Sequence, residues 1–157
     1  MKLYIMRHGH SPSATEAGVP TDAERPLSPL GRQEALAQAQ ALARAGGKPA
    51  LILHSPLRRA RETAAEAAAA LAVAFQPFLS LSNQLGAEDL AQALALPLEK
   101  TGELLIVGHQ PQIGELSAWL LGRLLDFRPA SLAALELDGK PAPGKARLLW
   151  AAAPFSS

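Results

Sequence analysis

The sequence contains no cysteine, which excludes disulfides, a thiolate nucleophile and thiolate-bound metal. Aromatic residues are scarce, at 4%, so the core has to be filled by small and branched aliphatic side chains. An excess of one charge is lacking too: 15 basic against 14 acidic residues leave +1. The bulk field therefore offers nothing to nucleic acid or a membrane surface, and any anion has to be caught locally. No apolar run approaches the roughly 20 residues of a spanning helix. The N-terminal apolar stretch meets charge at Arg7, too early for a secretory segment. The expectation is a soluble, cytoplasmic monomer with no nucleic-acid or membrane partner, no cofactor and no metal. A length of 157 residues suits one domain over residues 1–157, with a real core that needs no staples.

What is present is alanine and leucine in helical stretches, separated by short apolar runs. Lys2 to Met6 predicts a buried strand running into a tight Arg-His-Gly loop. Residues 11 to 27, with Pro12, Gly18, Pro20 and Pro26, predict a loop. Ser28-Pro29 predicts a helix start, and Gly46-Gly47 a stop after Ala45. Ala50 to Leu53 predicts a second strand. Ser55-Pro56 predicts the cap of a helix ending near Leu71, and Val73 to Phe75 an extended piece. Glu88 to Leu96 predicts a short helix, Glu103 to Val107 a third buried strand, and Pro111 to Leu121 a further helix. Ser131 to Asp138 and Ala146 to Ala151 predict a terminal hairpin. Alternating strands and helices imply right-handed crossovers. The fold class is α/β: a three-layer α/β/α arrangement with a mainly parallel sheet, helices on both faces and an antiparallel C-terminal hairpin.

Three segments carry chemistry, and each follows a predicted strand: Arg7-His8-Gly9-His10, Ser55-Pro56-Leu57-Arg58-Arg59-Ala60, and Val107-Gly108-His109-Gln110-Pro111. Ligands of open parallel sheets bind outside the carboxyl ends of the strands. Neighbouring strands would therefore gather Arg7, His8, Arg59 and His109 at one place. Each residue alone has a plain structural reading: a strand-end arginine, a surface helix arginine, a satisfied core histidine. Convergence is what argues for a site. Arg58 and Arg61 read as surface residues, His54 and Ser55 as packing and a helix cap, Trp119 and Trp150 as packing.

Arg-His-Gly after an N-terminal strand, Ser-Pro-x-x-Arg-Ala in the middle and Gly-His-x-Pro late resemble the histidine phosphatase superfamily. The short chain is most similar to its SixA-type phosphohistidine phosphatase branch. Asp22-x-x-Arg25-Pro26-Leu27-Ser28-x-x-Gly31 and Arg59-Ala60-x-x-Thr63-Ala64 agree, and the resemblance spans residues 2 to about 114. It implies His8 as nucleophile, Arg7 and Arg59 as phosphate ligands, and His109 as the second active-site histidine. Such a site works without metal, because guanidinium forks and an imidazole supply the positive charge around the transferring phosphoryl group. Gly9 is expected to let the backbone approach the phosphate.

One departure bears on substrate. Many relatives carry a carboxylic acid after the second helix, yet residues 79–87 read Leu-Ser-Leu-Ser-Asn-Gln-Leu-Gly-Ala, with no carboxylate before Glu88 and Asp89. An alcohol leaving group of pKa roughly 15 needs such an acid. An imidazole of pKa about 6.5 can leave neutral after protonation by solvent. The absence favours phosphohistidine on a histidine phosphotransfer domain. The alternatives are a small-molecule phosphomonoesterase for a sugar, nucleotide or cofactor phosphate, with Glu88 as acid, and a phosphate-binding module without turnover. His10 is expected at the pocket rim. Short inter-motif segments predict an open pocket without a lid.

Overall fold

The computed structural model describes residues 1–155. Six strands form one sheet: β1 (Lys2–Arg7), β2 (Leu51–His54), β3 (Phe75–Pro77), β4 (Glu103–Gly108), β5 (Leu132–Glu136) and β6 (Arg147–Ala152), in the order β3-β2-β4-β1-β5-β6. The first four run parallel, and β5 and β6 pair antiparallel. The helices are α1 (Ala14–Ala17), α2 (Pro29–Arg44), α3 (Arg58–Leu71), α4 (Ala87–Thr101) and α5 (Gln112–Leu121). The predicted α/β class and terminal antiparallel pair are both present.

The two-residue alternation of side chains explains why β1 reads as an unbroken apolar run. Leu3 and Ile5 pack with Leu90, Leu94, Leu98, Ile113 and Leu116 from α4 and α5. Tyr4 and Met6 pack on the other face with Ala35, Ala39, Ala60, Ala64 and Ala67 from α2 and α3. The alanine-rich segments thus lie where two helices share one face of the sheet. No described helix is long and apolar enough to cross a membrane.

Several boundaries differ from expectation for local reasons. Residues 11–27 are not all loop: α1 forms with a capping box, in which Ser13 Oγ accepts from the Glu16 N–H and Glu16 Oε1 accepts from the Ser13 N–H. A single 3₁₀ turn follows at Asp22–Glu24. The extended piece lies two residues later than predicted, at Phe75–Pro77, because Ala72 ends α3 in the left-handed conformation (φ 56°). Helix α4 runs through Pro97 to Thr101 instead of stopping at Leu96. The spacing of Leu90, Leu94 and Leu98, each at most 1% exposed, keeps one stripe buried past the proline. Tertiary packing outweighs the single backbone bond that Pro97 forfeits.

Candidate active site

The parallel register places the three motif loops side by side. Arg7 lies opposite Gly108 and His54 opposite Val107. The His8 N–H donates to the Gly108 carbonyl (3.1 Å), and the Ser55 N–H to the Val107 carbonyl (3.1 Å). The rings of His8 and His109 follow directly, with centroids 5.1 Å apart and planes inclined by 56°.

His8 is 8% exposed, and its Nδ1 lies 2.7 Å from the Gly9 carbonyl. A carbonyl can only accept, so Nδ1 carries the proton and Nε2 keeps its lone pair. His109 is 3% exposed, with Nε2 2.7 Å from Ser55 Oγ. Ser55 Oγ accepts the Leu57 N–H (3.2 Å) and keeps a hydroxyl proton that it can donate to His109 Nε2. With Ser55 as donor, the neutral ring holds its own proton on Nδ1, where it faces no partner among the described residues. Ser55 was expected to cap a helix. Instead α3 begins at Arg58 without a side-chain cap, and the hydroxyl orients His109.

Arg7 donates Nη1 to the Phe127 carbonyl (2.9 Å). Arg59, 8% exposed, donates Nη1 to the Asp22 carbonyl (2.9 Å) and pairs Nη2 with Asp22 Oδ2 (3.1 Å). Three buried side-chain nitrogens lack a hydrogen-bond partner among the described residues: Arg7 Nε, Arg59 Nε and His109 Nδ1. Each unpaired buried donor costs about 1–3 kcal/mol, so three on the groups that flank one imidazole call for a common acceptor. An oxyanion is the acceptor that suits two guanidinium groups and an imidazole N–H.

Burial pushes His8 down to about 3, and the charges of Arg59 and Arg7 act in the same direction. Burial, then Arg59, lowers His109 to about 4. Both rings are therefore neutral at neutral pH, which leaves His8 Nε2 a free base. The same shifts set an acid limit on stability. Above pH 6.5 these rings are neutral in folded and unfolded chains alike. Below it the unfolded chain takes up protons that the folded chain refuses until about pH 4 and about pH 3. Each ring then costs about 1.4 kcal/mol per pH unit. His54, also lowered by burial, adds in the same direction. Thermal melts in phosphate-free buffer should show the melting temperature falling between pH 7 and pH 5; a flat profile there would contradict the neutral, desolvated pair.

The structure brings together Arg7, His8, Arg59 and His109 and gives the other candidates different places. The Gly9 N–H is donated to Thr63 Oγ1 (3.0 Å), so it is not free for a phosphate, contrary to expectation. Gly9 acts through its carbonyl on His8 and through space, because a Cβ there would lie 2.6 Å from the Gly31 carbonyl oxygen. His10 is exposed and its Nδ1 lies 2.7 Å from Ser28 Oγ, a rim position. Glu88 and Asp89 are exposed in the first turn of α4. The segment before them is tied to the His109 loop. Asn83 and Gln112 exchange side-chain and backbone bonds (3.1 and 3.2 Å), and Asn83 Nδ2 donates to the Gln110 carbonyl (3.1 Å). The 11–27 segment reaches Arg59 through Asp22. Asp22, Ser55 and Thr63 sit inside the quoted motifs and could be suspected from them. The Phe127 carbonyl leaves no trace in sequence.

The sequence profile of the "Histidine phosphatase superfamily (branch 1)" matches residues 3–82, half of the chain. The chain belongs to the histidine phosphatase superfamily. An uncharacterized protein of Picosynechococcus sp. is 40% identical over 118 residues, covering 73% of this chain and 70% of the relative. Among solved structures, the protein histidine phosphatase SixA complexed with tungstate superposes with a TM-score of 0.84 at 25% identity, covering 98% of this chain and 97% of that one. A SixA structure from Agrobacterium tumefaciens gives 0.82 at 24% identity, over 98% and 97% of the two chains. A mycobacterial glucosyl-3-phosphoglycerate phosphatase gives 0.68 at 21% identity, over 94% and 96%, a likeness of fold. This histidine phosphatase is of SixA type, and its class of phosphatase works through a phosphohistidine on the enzyme.

Proposed function

We propose that this histidine phosphatase hydrolyses phosphohistidine on a protein, most naturally a histidine phosphotransfer domain. The carrying observation is the set of unpaired buried nitrogens, Arg7 Nε, Arg59 Nε and His109 Nδ1, beside an imidazole whose Nε2 is free. His8 Nε2 attacks phosphorus in line as the bond from phosphorus to the substrate imidazole breaks. The departing imidazole takes its proton from solvent. Arg7, Arg59 and His109 hold the equatorial oxygens, whose charge they offset in a loose transition state. Water then attacks the His8 phosphoryl group, releasing inorganic phosphate and the free base.

The choice of substrate rests on the acid that residues 79–87 lack and on the Asn83–Gln112 clasp, which holds that segment on the His109 loop without a carboxylate. A side-by-side rate comparison tests it. A phosphohistidine-bearing phosphotransfer domain should be hydrolysed at least ~100-fold faster, by kcat/KM, than sugar or nucleotide monophosphates, since a missing acid costs 10²–10⁴ on an alkoxide leaving group. Glu88→Gln should leave the phosphohistidine rate unchanged. Preference for an alkyl ester, with collapse in Glu88→Gln, would favour the small-molecule phosphomonoesterase instead.

A further inference from the structure

The two guanidinium groups beside His8 are held alike. In Arg7, Nη1 is taken by the Phe127 carbonyl; in Arg59, Nη1 and Nη2 are taken by Asp22; in both, Nε is left buried and unpaired. A guanidinium carries five N–H donors in one plane. Tying down its outer edge leaves the side-on edge, which contains Nε–H, to meet an oxyanion in a bidentate way. For Arg7 the anchor is a main-chain carbonyl beside the sheet. For Arg59 it is one residue of an exposed turn.

We infer that Asp22 is a positioning residue for phosphoryl binding: it grips the outer edge of Arg59 and thereby aims Nε at the anion held beside His8. The inference rests on the proposed reading of the site and adds a residue to it. The grip is itself braced. Arg25 donates Nη1 to Asp22 Oδ1 (3.0 Å), Nε to the Pro12 carbonyl (2.8 Å) and Nη2 to the Ser11 carbonyl (3.3 Å). Ser11 Oγ donates to the Pro26 carbonyl (2.6 Å), so the two ends of the loop are fastened together. The Leu27 N–H donates to Glu62 Oε1 (2.9 Å), fixing the base of the loop to α3, the helix that carries Arg59. Asp22 is thus shared between a guanidinium at the site and one that closes the loop. Arg25 first, then Arg59, hold its carboxyl below the usual range, so it is charged at neutral pH. A carboxylate competing with substrate would sit on the Nε edge of Arg59. Asp22 sits on the Nη1/Nη2 edge and leaves Nε unpaired.

Calorimetric titration with inorganic phosphate tests this on the wild type, Asp22→Ala, Asp22→Asn, Arg59→Ala and the Asp22→Ala/Arg59→Ala double variant. Asp22→Ala should weaken phosphate binding about tenfold, the scale of a misaimed bidentate contact. Both variants keep the main-chain carbonyl on Nη1; Asp22→Asn, whose side-chain amide oxygen can still accept from Nη2 without the charge, should fall in between. The double variant should bind no worse than Arg59→Ala alone, because Asp22 acts only through Arg59. Unchanged or tighter binding in both Asp22 variants, or additive losses in the double variant, would overturn the inference. A wild type that binds phosphate but leaves phosphohistidine intact would sink the proposed function alone. Failure of the wild type to bind phosphate would sink both.

Discussion

Replacing His8 with Ala should lower phosphohistidine hydrolysis by roughly 10⁴-fold or more, the loss expected when the nucleophile of a covalent mechanism is removed. The reasoning is specific to this ring. Its Nδ1 proton is committed to the Gly9 carbonyl at 2.7 Å, and burial and nearby cations keep Nε2 unprotonated down to about pH 3. His109 lacks that combination, because its Nε2 is engaged with Ser55 Oγ at 2.7 Å. Phosphate binding should survive in His8→Ala, because Arg7, Arg59 and His109 remain. The contrast between intact binding and lost turnover separates a missing nucleophile from a collapsed site. Stopped-flow or gel-based release from a phosphorylated phosphotransfer domain, with phosphate titration alongside, reads both. Hydrolysis in His8→Ala within tenfold of wild type would contradict the role.

Gly31→Ala should produce the largest loss of stability among single-methyl changes. A Cβ at position 31 would lie 2.1 Å from the His10 carbonyl oxygen, and one at position 9 would lie 2.6 Å from the Gly31 carbonyl oxygen. Here the first turn of α2 meets the His8 loop backbone against backbone, so no flexible side chain can give way. Overpacking typically costs 1–3 kcal/mol, and a main-chain clash belongs at or above the upper end, about 3 kcal/mol. In a chain of this size that is roughly a 6–12 °C fall in melting temperature. Activity should drop too, because separating the two backbones moves the Gly9 carbonyl that holds His8. Gly139→Ala, with no atom within 4 Å of the added carbon, is the control and should change stability by no more than about 0.5 kcal/mol. Equal melting temperatures for the two variants would contradict this account of the contact.

This contact also explains how the sequence could be read at all. Arg7-His8-Gly9 and Leu27-Ser28-x-x-Gly31 look like separate motifs, but they are two sides of one close approach: Gly9 leaves room for the Gly31 carbonyl, and Gly31 for the His10 backbone. The sheet was legible because β1, β2 and β4 are buried on both faces and so read as unbroken apolar runs. The convergence of His8, Arg59 and His109 followed from placing their loops at the carboxyl ends of those strands. What stayed hidden depends on contacts distant in sequence. Ser55 could pass for a helix cap because Ser-Pro before a helix has that local pattern, and only the register of β2 beside β4 turns its hydroxyl toward His109. The continuation of α4 past Pro97 depends on a buried leucine stripe that outweighs a local breaker. The Phe127 carbonyl that holds Arg7 has no side-chain signature, and Asp22 becomes meaningful only once the loop folds back on Arg59.

The position of the phosphoryl group on the trapped enzyme tests the central claim most directly. Rapid mixing with a phosphorylated phosphotransfer domain, alkaline quench and peptide mass spectrometry locate the residue, and phosphorus NMR of the trapped protein distinguishes the two ring nitrogens. The account predicts phosphorus on His8 Nε2, the nitrogen left free by the Gly9 carbonyl. Phosphorus on His109, on His8 Nδ1, or on no residue during active turnover would contradict it.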